Sequence, residues 1–305
     1  MSFSSDVKRE LAGVRLTEKE QKLSECYGFL LFSSKFSTRE IVFKTENKYS
    51  ADVFESLMDE LFSPKLLKEH ELKPRSKKQG LYKIRFADSD ECKSVFEFYG
   101  HSPKDIRLMI NRANIDDESL YVPFLRGVFL SCGSVTNPRK GYHLELNVQH
   151  KTLADNIVHL INEIDVLAVK PKVISRKGTY VVYFKGSDGV CDFLGYIGAG
   201  NSAMTVIEAS AYKELMNTIN RRQNSELANI QKLASASARQ THAIQKIIEC
   251  DAFDSLSDEL RALAKLRLDN PEMSLKELGE NLEPPISRSG VNHRLERLYK
   301  IADEL

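Results

Sequence analysis

Hydrophobic residues follow two periodicities along the first two hundred positions of this chain. Apolar and polar residues alternate in four stretches, which favours β-strands: Glu40–Thr45, Leu81–Phe86, Tyr142–Val148 and Thr179–Phe184. Between these stretches apolar residues lie three or four positions apart, as at Val53, Leu57 and Leu61, which favours helices. The pattern predicts an α+β fold.

The same order of elements occurs twice. Phe86–Gly100 resembles Phe184–Gly198 at an offset of 98 residues, and Tyr27–Ser34 lies opposite Arg126–Gly133 at an offset of 99. In each copy the predicted order is helix, hairpin, helix, hairpin, helix, so we predict a duplicated αββαββα unit.

Changes in the hydrophobic pattern along the chain predict a division into three parts. The duplicated domain is expected over residues 1–200, with its copies at about 20–100 and 119–198. A helical linker arm at 201–250 and a helix-turn-helix domain at 251–305 are expected to follow.

An apolar helix that contains a glycine opens each copy, at Gly28 and Gly127. This order of elements resembles the LAGLIDADG homing-endonuclease fold, in which two motif helices pack together at a pseudo-two-fold axis. A glycine is expected there because only a residue without a β carbon lets two helix backbones come so close.

The metal ligands of a LAGLIDADG nuclease are missing from this sequence. Such a nuclease needs an acidic residue at the penultimate motif position of each helix, because paired carboxylates hold the divalent metals. Here these positions are Ser33 and Cys132, and no Asp or Glu occurs at 27–38 or 120–143. No HExxH, Walker or GxGxxG motif occurs either, so we expect no enzyme activity, no metal and no cofactor.

Basic residues cluster in the second hairpin of both copies. They form a predicted secondary DNA contact, together with two arginines of the linker arm: Arg75, Lys77, Lys78, Lys172, Arg176, Lys177, Arg221 and Arg222. Lysine-rich turns are also typical of solvated loops, and both interpretations stay open.

The linker arm lacks proline and glycine from Ser202 to Cys250, and its apolar residues have helical spacing. The polar stretch Asn220–Asn229 interrupts the apolar stripe, which favours a pair of linker helices. Gly195–Asn201 is glycine-rich and is predicted to form a turn at the domain boundary.

Three short helices are predicted in the last fifty residues. Ser257 begins the first, which Asn270-Pro271 ends, and a capping-box pattern at Ser274–Glu277 begins the second. The third begins at Ser287 and is expected to bury Val291, Leu295, Leu298 and Ala302. A short second helix joined by a tight turn to a third is typical of a helix-turn-helix.

The outer side of the third helix is cationic, with four basic residues against one acid between Ser287 and Lys300. Arg288 and Asn292 can make bidentate contacts with bases, whereas Arg294, Arg297 and Lys300 suit phosphates. The full predicted DNA-binding set is Ser274, Lys276, Ser287, Arg288, Ser289, Asn292, His293, Arg294, Arg297 and Lys300. A protein-docking module is the alternative for the three helices.

Composition agrees with an intracellular protein. Charged residues make up 29% and hydrophobic residues 42% of 305 positions, and no apolar run reaches the roughly 20 residues that span a bilayer. The N-terminus lacks a secretory signal, and five scattered cysteines without a CxxC pair favour free thiols. We therefore expect a cytoplasmic protein without a membrane segment. The net charge of +1 does not argue against DNA, because a basic face can lie within a balanced total.

The chain as a whole resembles the WhiA family. The resemblance is carried by Ser2–Leu11, Phe124–Pro138, Asn220–Lys232 and, above all, Leu263–Leu298. It implies double-stranded DNA as partner, nucleoid association, and a role in cell division and chromosome segregation. It also implies transcriptional control of sporulation, with a WhiB-type iron-sulfur partner, in actinobacterial relatives. A residual nuclease, a ligand-sensing regulator and a nucleoid protein without promoter control are the competing hypotheses.

Overall fold

The computed structural model describes residues 2–72 and 80–305. Arg75, Lys77 and Lys78 of the predicted secondary DNA contact lie outside the described residues. The chain divides into two compact units, Met1–Lys213 and Glu214–Leu305. The division falls inside the segment predicted as a linker arm, and the three-part domain scheme stays a prediction.

The first unit repeats one order of elements. Its helices and strands are α1 (Phe3–Ala12), α2 (Lys19–Leu31), β1 (Lys35–Phe36), β2 (Ile41–Thr45), α3 (Lys48–Leu61), β3 (Leu66–Leu72), β4 (Gly80–Phe86), α4 (Ser89–Phe98), α5 (Tyr121–Cys132), β5 (Gly133–Val135), β6 (His143–Val148), α6 (Lys151–Glu163), β7 (Lys172–Arg176), β8 (Thr179–Lys185) and α7 (Ser187–Tyr196). Short 3₁₀ helices at Arg112–Asn114 and Glu118–Leu120 lead into α5. The predicted αββαββα unit is therefore confirmed in both copies, after the additional helix α1.

Each copy forms its own antiparallel sheet with the same topology. The strand orders in the described part of the unit are β1-β2-β4-β3 and β5-β6-β8-β7. The loop from β7 to β8 is a tight turn in which Lys177 and Gly178 both have positive φ, 51° and 83°. This combination is typical of a type I′ hairpin turn, which matches the twist of the strands.

The two glycine helices pack against each other in the core. A β carbon on Gly28 would lie 2.3 Å from the carbonyl oxygen of Phe124, and one on Gly127 would lie 2.1 Å from that of Glu25. Both contacts are far too short for any side chain, so the close approach of α2 and α5 requires glycine at both positions. The predicted helix contact is thus confirmed.

A single helix, α8 (Gly200–Glu249), replaces the predicted pair of linker helices. The prediction of a pair was wrong because a break in the apolar stripe does not end a helix. The polar stretch is rich in good helix formers such as arginine, glutamine and glutamate, and Arg222 pairs with Glu226 one turn later at 3.0 Å. Of the predicted turn at Gly195–Asn201, only residues 197–199 lie between α7 and α8, with Gly198 at a φ of 100°, and the division between the two units falls later, after Lys213.

The second unit contains a three-helix module that follows α8. The helices are α9 (Asp258–Asp269), α10 (Leu275–Glu280) and α11 (Arg288–Glu304). Their shared core includes Leu263, Leu278 and Val291, all 0% exposed, and Ile244 and Ile247 near the end of α8 complete it. The predicted helix starts and the predicted buried stripe of α11 are present. In the ranges 2–72 and 80–305 no helix has the length and apolar character needed to cross a bilayer.

Candidate nucleic-acid interface

The connection between α10 and α11 runs through residues 281–287, so it is longer than the predicted tight turn. The amide of Ser274 donates to the Glu277 carboxylate at 2.7 Å, and the amide of Glu277 donates to the Ser274 hydroxyl at 3.3 Å. These bonds form the predicted capping box, and the bond that the Ser274 amide donates to its carboxylate lowers the pKa of Glu277. At the other end of α10, a β carbon on Gly279 would lie 2.3 Å from the carbonyl oxygen of Ile286. The backbone before α11 therefore passes directly over this glycine.

Helix α11 has one buried and one exposed side. Val291, Leu295, Leu298 and Ala302 are at most 3% exposed and hold the helix in the module. Ser289, His293, Arg297 and Lys300 lie opposite that stripe, Arg288 and Asn292 flank it, and Ser287 precedes the helix; all of these residues are exposed. The structure therefore exposes most of the predicted DNA-binding residues of α11, and we call this exposed set the α11 face.

Part of the predicted set is engaged within the protein, since Ser274 caps α10 and Lys276 is 3.7 Å from the Glu280 carboxylate. Arg294 pairs with Glu259 of α9 at 3.0 Å, and only 19% of its side chain is exposed. The Ser287 hydroxyl accepts from the amide of Gly290 and thereby caps α11, and it also lies 2.9 Å from the Ser289 hydroxyl. Arg294 thus holds α9 and α11 together, and the cations free to meet a ligand on the α11 face are Arg288, Arg297 and Lys300.

A buried arginine organises the loop before α10. Arg267 is 0% exposed, and its Nη1 donates to the carbonyl oxygens of Asn270, Pro271 and Met273 at 3.3, 3.3 and 2.7 Å. The hydroxyl of Ser237, on α8, donates to the same Pro271 carbonyl. Spacing along the sequence gives no sign of these loop contacts.

A groove of about 440 Å³ lies beside the α11 face within the second unit. Arg288, Asn292 and Lys276 line it on one side, and Asn229 and Lys232 of α8 line it on the other. The two α8 residues were absent from the predicted site because the helix was interpreted as a linker. The one signal for them was their place in the Asn220–Lys232 stretch that carries the family resemblance.

The degenerate motif positions of the duplicated domain hold no carboxylate. Ser33 is buried, and its hydroxyl donates to the carbonyl oxygens of Leu30 and Lys35 at 2.7 and 3.0 Å. Burial raises the pKa of the Cys132 thiol to about 12, although nearby Lys8 opposes that shift. Among the described residues no group of three or more His, Cys, Asp and Glu side chains could hold a metal ion.

A buried lysine lies next to this former metal position. The ammonium of Lys8, on α1, donates to the carbonyl oxygen of Leu130 at 3.1 Å, and the residue is 8% exposed. Burial lowers the pKa of Lys8 to about 8. A cation at this place repels a divalent metal ion, so the site opposes metal binding in addition to lacking ligands.

The basic residues of the second-copy hairpin are all exposed. Lys172, Arg176 and Lys177 lie on β7 and its turn, and Arg176 is 3.7 Å from the Glu145 carboxylate. On α8, Arg221 is exposed and Arg222 forms the pair with Glu226. Their exposure agrees with a phosphate contact and with a solvated surface alike, so the secondary contact stays a prediction.

Comparison with known proteins shows which family models the chain matches. Residues 219–302 match the family model of the WhiA C-terminal HTH domain, and residues 122–216 match that of the WhiA LAGLIDADG-like domain. The probable cell division protein WhiA of Clostridium perfringens is 36% identical over 318 residues, which cover 100% of this chain and 98% of that relative.

Solved structures give the same result. The crystal structure of full-length DUF199/WhiA from Thermotoga maritima matches with a TM-score of 0.61 and 28% identity, and covers 100% of this chain and 99% of that one. The N-terminal LAGLIDADG domain of DUF199/WhiA matches with a TM-score of 0.50 and 27% identity, over 65% of this chain and 90% of that one. The predicted fold class, a LAGLIDADG-like domain followed by a helical helix-turn-helix region, is confirmed.

Proposed function

The chain belongs to the WhiA family, and from this premise we propose that it is a sequence-specific DNA-binding protein that acts in cell division and chromosome segregation. The observation that carries the proposal is the α11 face. Its exposed cations and amide lie beside and opposite the buried stripe of α11, the helix that enters a major groove in this class of module.

The side chains of the α11 face have different roles in DNA binding because their functional groups differ. Arg288 and Asn292, in the first turns of α11, read base edges, because guanidinium and carboxamide groups bond in pairs to guanine and adenine. Arg297 and Lys300, further along the helix, neutralise phosphates and set the register. Arg294 has a structural role and does not contact DNA, because its pair with Glu259 connects α11 to α9.

The first unit serves as a scaffold and does not cut DNA. Ser33 and Cys132 replace the carboxylates that a two-metal nuclease requires, and Lys8 places a positive charge close to them. Lys172, Arg176 and Lys177 supply a second, weaker contact to the DNA backbone. Reversing these three charges lowers DNA affinity and reduces its salt dependence if that contact exists, and leaves both unchanged if the hairpin is a solvated loop.

DNA binding places the protein on the nucleoid, where two roles are distinguishable. A regulator of transcription, including sporulation genes in some relatives, occupies promoters and changes the transcripts beside them. A protein of chromosome segregation occupies sites whose neighbouring transcripts do not respond. Mapping of bound sites along the chromosome, together with transcript levels after depletion, separates the two.

The WhiB-type iron-sulfur partner is proposed only for cells that contain such a protein. Copurification with the tagged chain, under anaerobic conditions that preserve the cluster, tests it. A variant with a disrupted α11 face provides the control, because a partner that is held only through shared DNA is lost with DNA binding.

A further inference from the structure

The groove beside the α11 face is lined by α8 residues that include polar and charged side chains, which packing against the module does not require. On α8 the lining residues recur three or four positions apart, from Asn229 and Lys232 through Gln240, and so form one face of the helix. Further along, the same face packs through Ile244 and Ile247, both 0% exposed, into the core of the second unit. Ser237 on this face bonds to the Pro271 carbonyl, whereas Asn229 and Lys232 have no hydrogen-bond or ion-pair partner within the described residues.

The charge of the groove has one sign. Four cationic side chains line it, Lys232, Arg267, Lys276 and Arg288, and no acidic side chain is among the lining residues. Lys276 is 3.7 Å from the carboxylate of Glu280, which is not a lining residue, whereas Lys232 and Arg288 are exposed and form no ion pair within the described residues. An anion in the groove can therefore pair with Lys232 and Arg288 without displacing an acidic side chain.

The buried wall of the groove retains hydrogen-bonding capacity. Arg267 is 0% exposed and directs Nη1 at the loop carbonyls, but its Nε has no hydrogen-bond partner. Gln240, 6% exposed, also lines the groove: its carboxamide nitrogen can donate to an anion, whereas its unpartnered side-chain oxygen is an acceptor that requires water. Buried polar groups of this kind are unfavourable unless a ligand or water meets them.

We propose that this groove seats a DNA phosphate, bound by Lys232 and Asn229 of α8 beside the major groove that α11 enters. The proposal rests on the proposed function and extends the DNA-binding surface from the helix-turn-helix onto α8. Arg288 and Asn292 line the other side of the groove, so a strand that they read passes directly in front of the α8 residues. Helix α8 is then part of the DNA-binding surface as well as a connection.

Salt-dependent binding of the full-length chain to a duplex tests this. Loss of one phosphate contact reduces the slope of log affinity against log salt by about 0.9. The affinity deficit of Lys232→Ala relative to the wild type should therefore shrink about three- to four-fold between about 50 and 200 mM salt. Lys265→Ala is the matched control, because Lys265 is exposed on α9 and does not line the groove.

A second pair of variants tests the site without shortening a side chain. Asn229→Asp adds a negative charge inside the groove and should weaken binding more than Asn224→Asp, which adds the same charge on α8 outside the lining residues. Equal effects within both pairs would overturn the proposal. If Lys232→Ala and Asn229→Asp bind normally while Arg288→Ala with Asn292→Ala loses affinity, the groove assignment fails and the proposed function stands. If the Arg288 and Asn292 variant keeps full affinity, the proposed function itself fails.

Discussion

Gly127 of α5 lies so close to α2 that a β carbon there would be 2.1 Å from the carbonyl oxygen of Glu25. The reciprocal contact of Gly28 with Phe124 is almost as short, at 2.3 Å. The two copies of the duplicated unit are therefore joined by backbone contact between their first helices.

Gly127→Ala should destabilise the first unit by about 3 kcal/mol, because the added methyl forces apart two helices with no room to move. Chemical denaturation of the full chain measures the change. Gly195→Ala, in helix α7, is the control, since nothing lies within 4 Å of the added carbon. It should be neutral or stabilise by about 0.5 kcal/mol. Equal effects of the two substitutions would contradict the contact.

Lys8 should make stability rise with pH. Its pKa is about 8 in the folded protein against 10.5 as the ordinary value, so between these values the unfolded chain binds a proton that the folded chain does not. The free energy of unfolding therefore increases as pH rises through this window. Relative to Lys8→Met, the wild-type side chain should gain about 2 kcal/mol between pH 7.5 and 10.

Both proteins should carry Cys132→Ala in that comparison, because Lys8 lowers the pKa of Cys132. Cys26, Tyr27 and Tyr99 have pKa values raised by burial, but they are present in both proteins and largely cancel in the difference. A difference that does not change with pH would show that Lys8 is hydrated rather than buried.

Arg267→Met should lower the stability of the second unit by about 3 kcal/mol, because the carbonyls of Asn270, Pro271 and Met273 lose a charged donor. Thermal unfolding of the full chain, followed by circular dichroism, detects this loss. The matched change Lys265→Met, at an exposed position of the same helix, should have little effect. An unchanged unfolding temperature in Arg267→Met would remove the argument that this side chain organises the loop.

Removal of divalent metal should leave DNA binding intact, and addition of magnesium or manganese should not produce nicking. The reason is that Ser33 and Cys132 offer no carboxylate and that Lys8 lies close to Cys132. Affinity measured with and without a chelator, and supercoiled plasmid incubated with either metal, provide the two readouts. Metal-dependent nicking that persists after the α11 face is mutated would contradict the scaffold role.

Much of the fold could be predicted because its signals are local. Alternating residues predicted β2, β4, β6 and β8, and the Ser274 capping box and the apolar stripe of α11 followed from spacing alone. The repeat extended these local patterns to a topology, since two copies with one order of elements form two sheets with one strand order.

The features that sequence missed depend on contacts between distant residues. Arg294 was predicted to contact phosphate, but its partner Glu259 lies 35 residues earlier on another helix. The break in the apolar stripe of α8 was interpreted as a helix end, although the helix continues through it. Sequence also does not show which face of a long helix meets a groove. Lys232 therefore looked like an ordinary surface lysine, although it lies opposite Arg288.

The affinity of the Arg288→Ala and Asn292→Ala double variant for duplex DNA most directly tests whether the α11 face reads DNA sequence. The duplex should carry a chromosomal site that the wild-type chain binds, and fluorescence anisotropy should be recorded at one fixed salt concentration. We expect the double variant to lose affinity for this duplex by about ten-fold or more, and to lose much less affinity for an unrelated duplex, because the two side chains read bases. Full affinity and unchanged discrimination in a variant that unfolds like the wild type would contradict it.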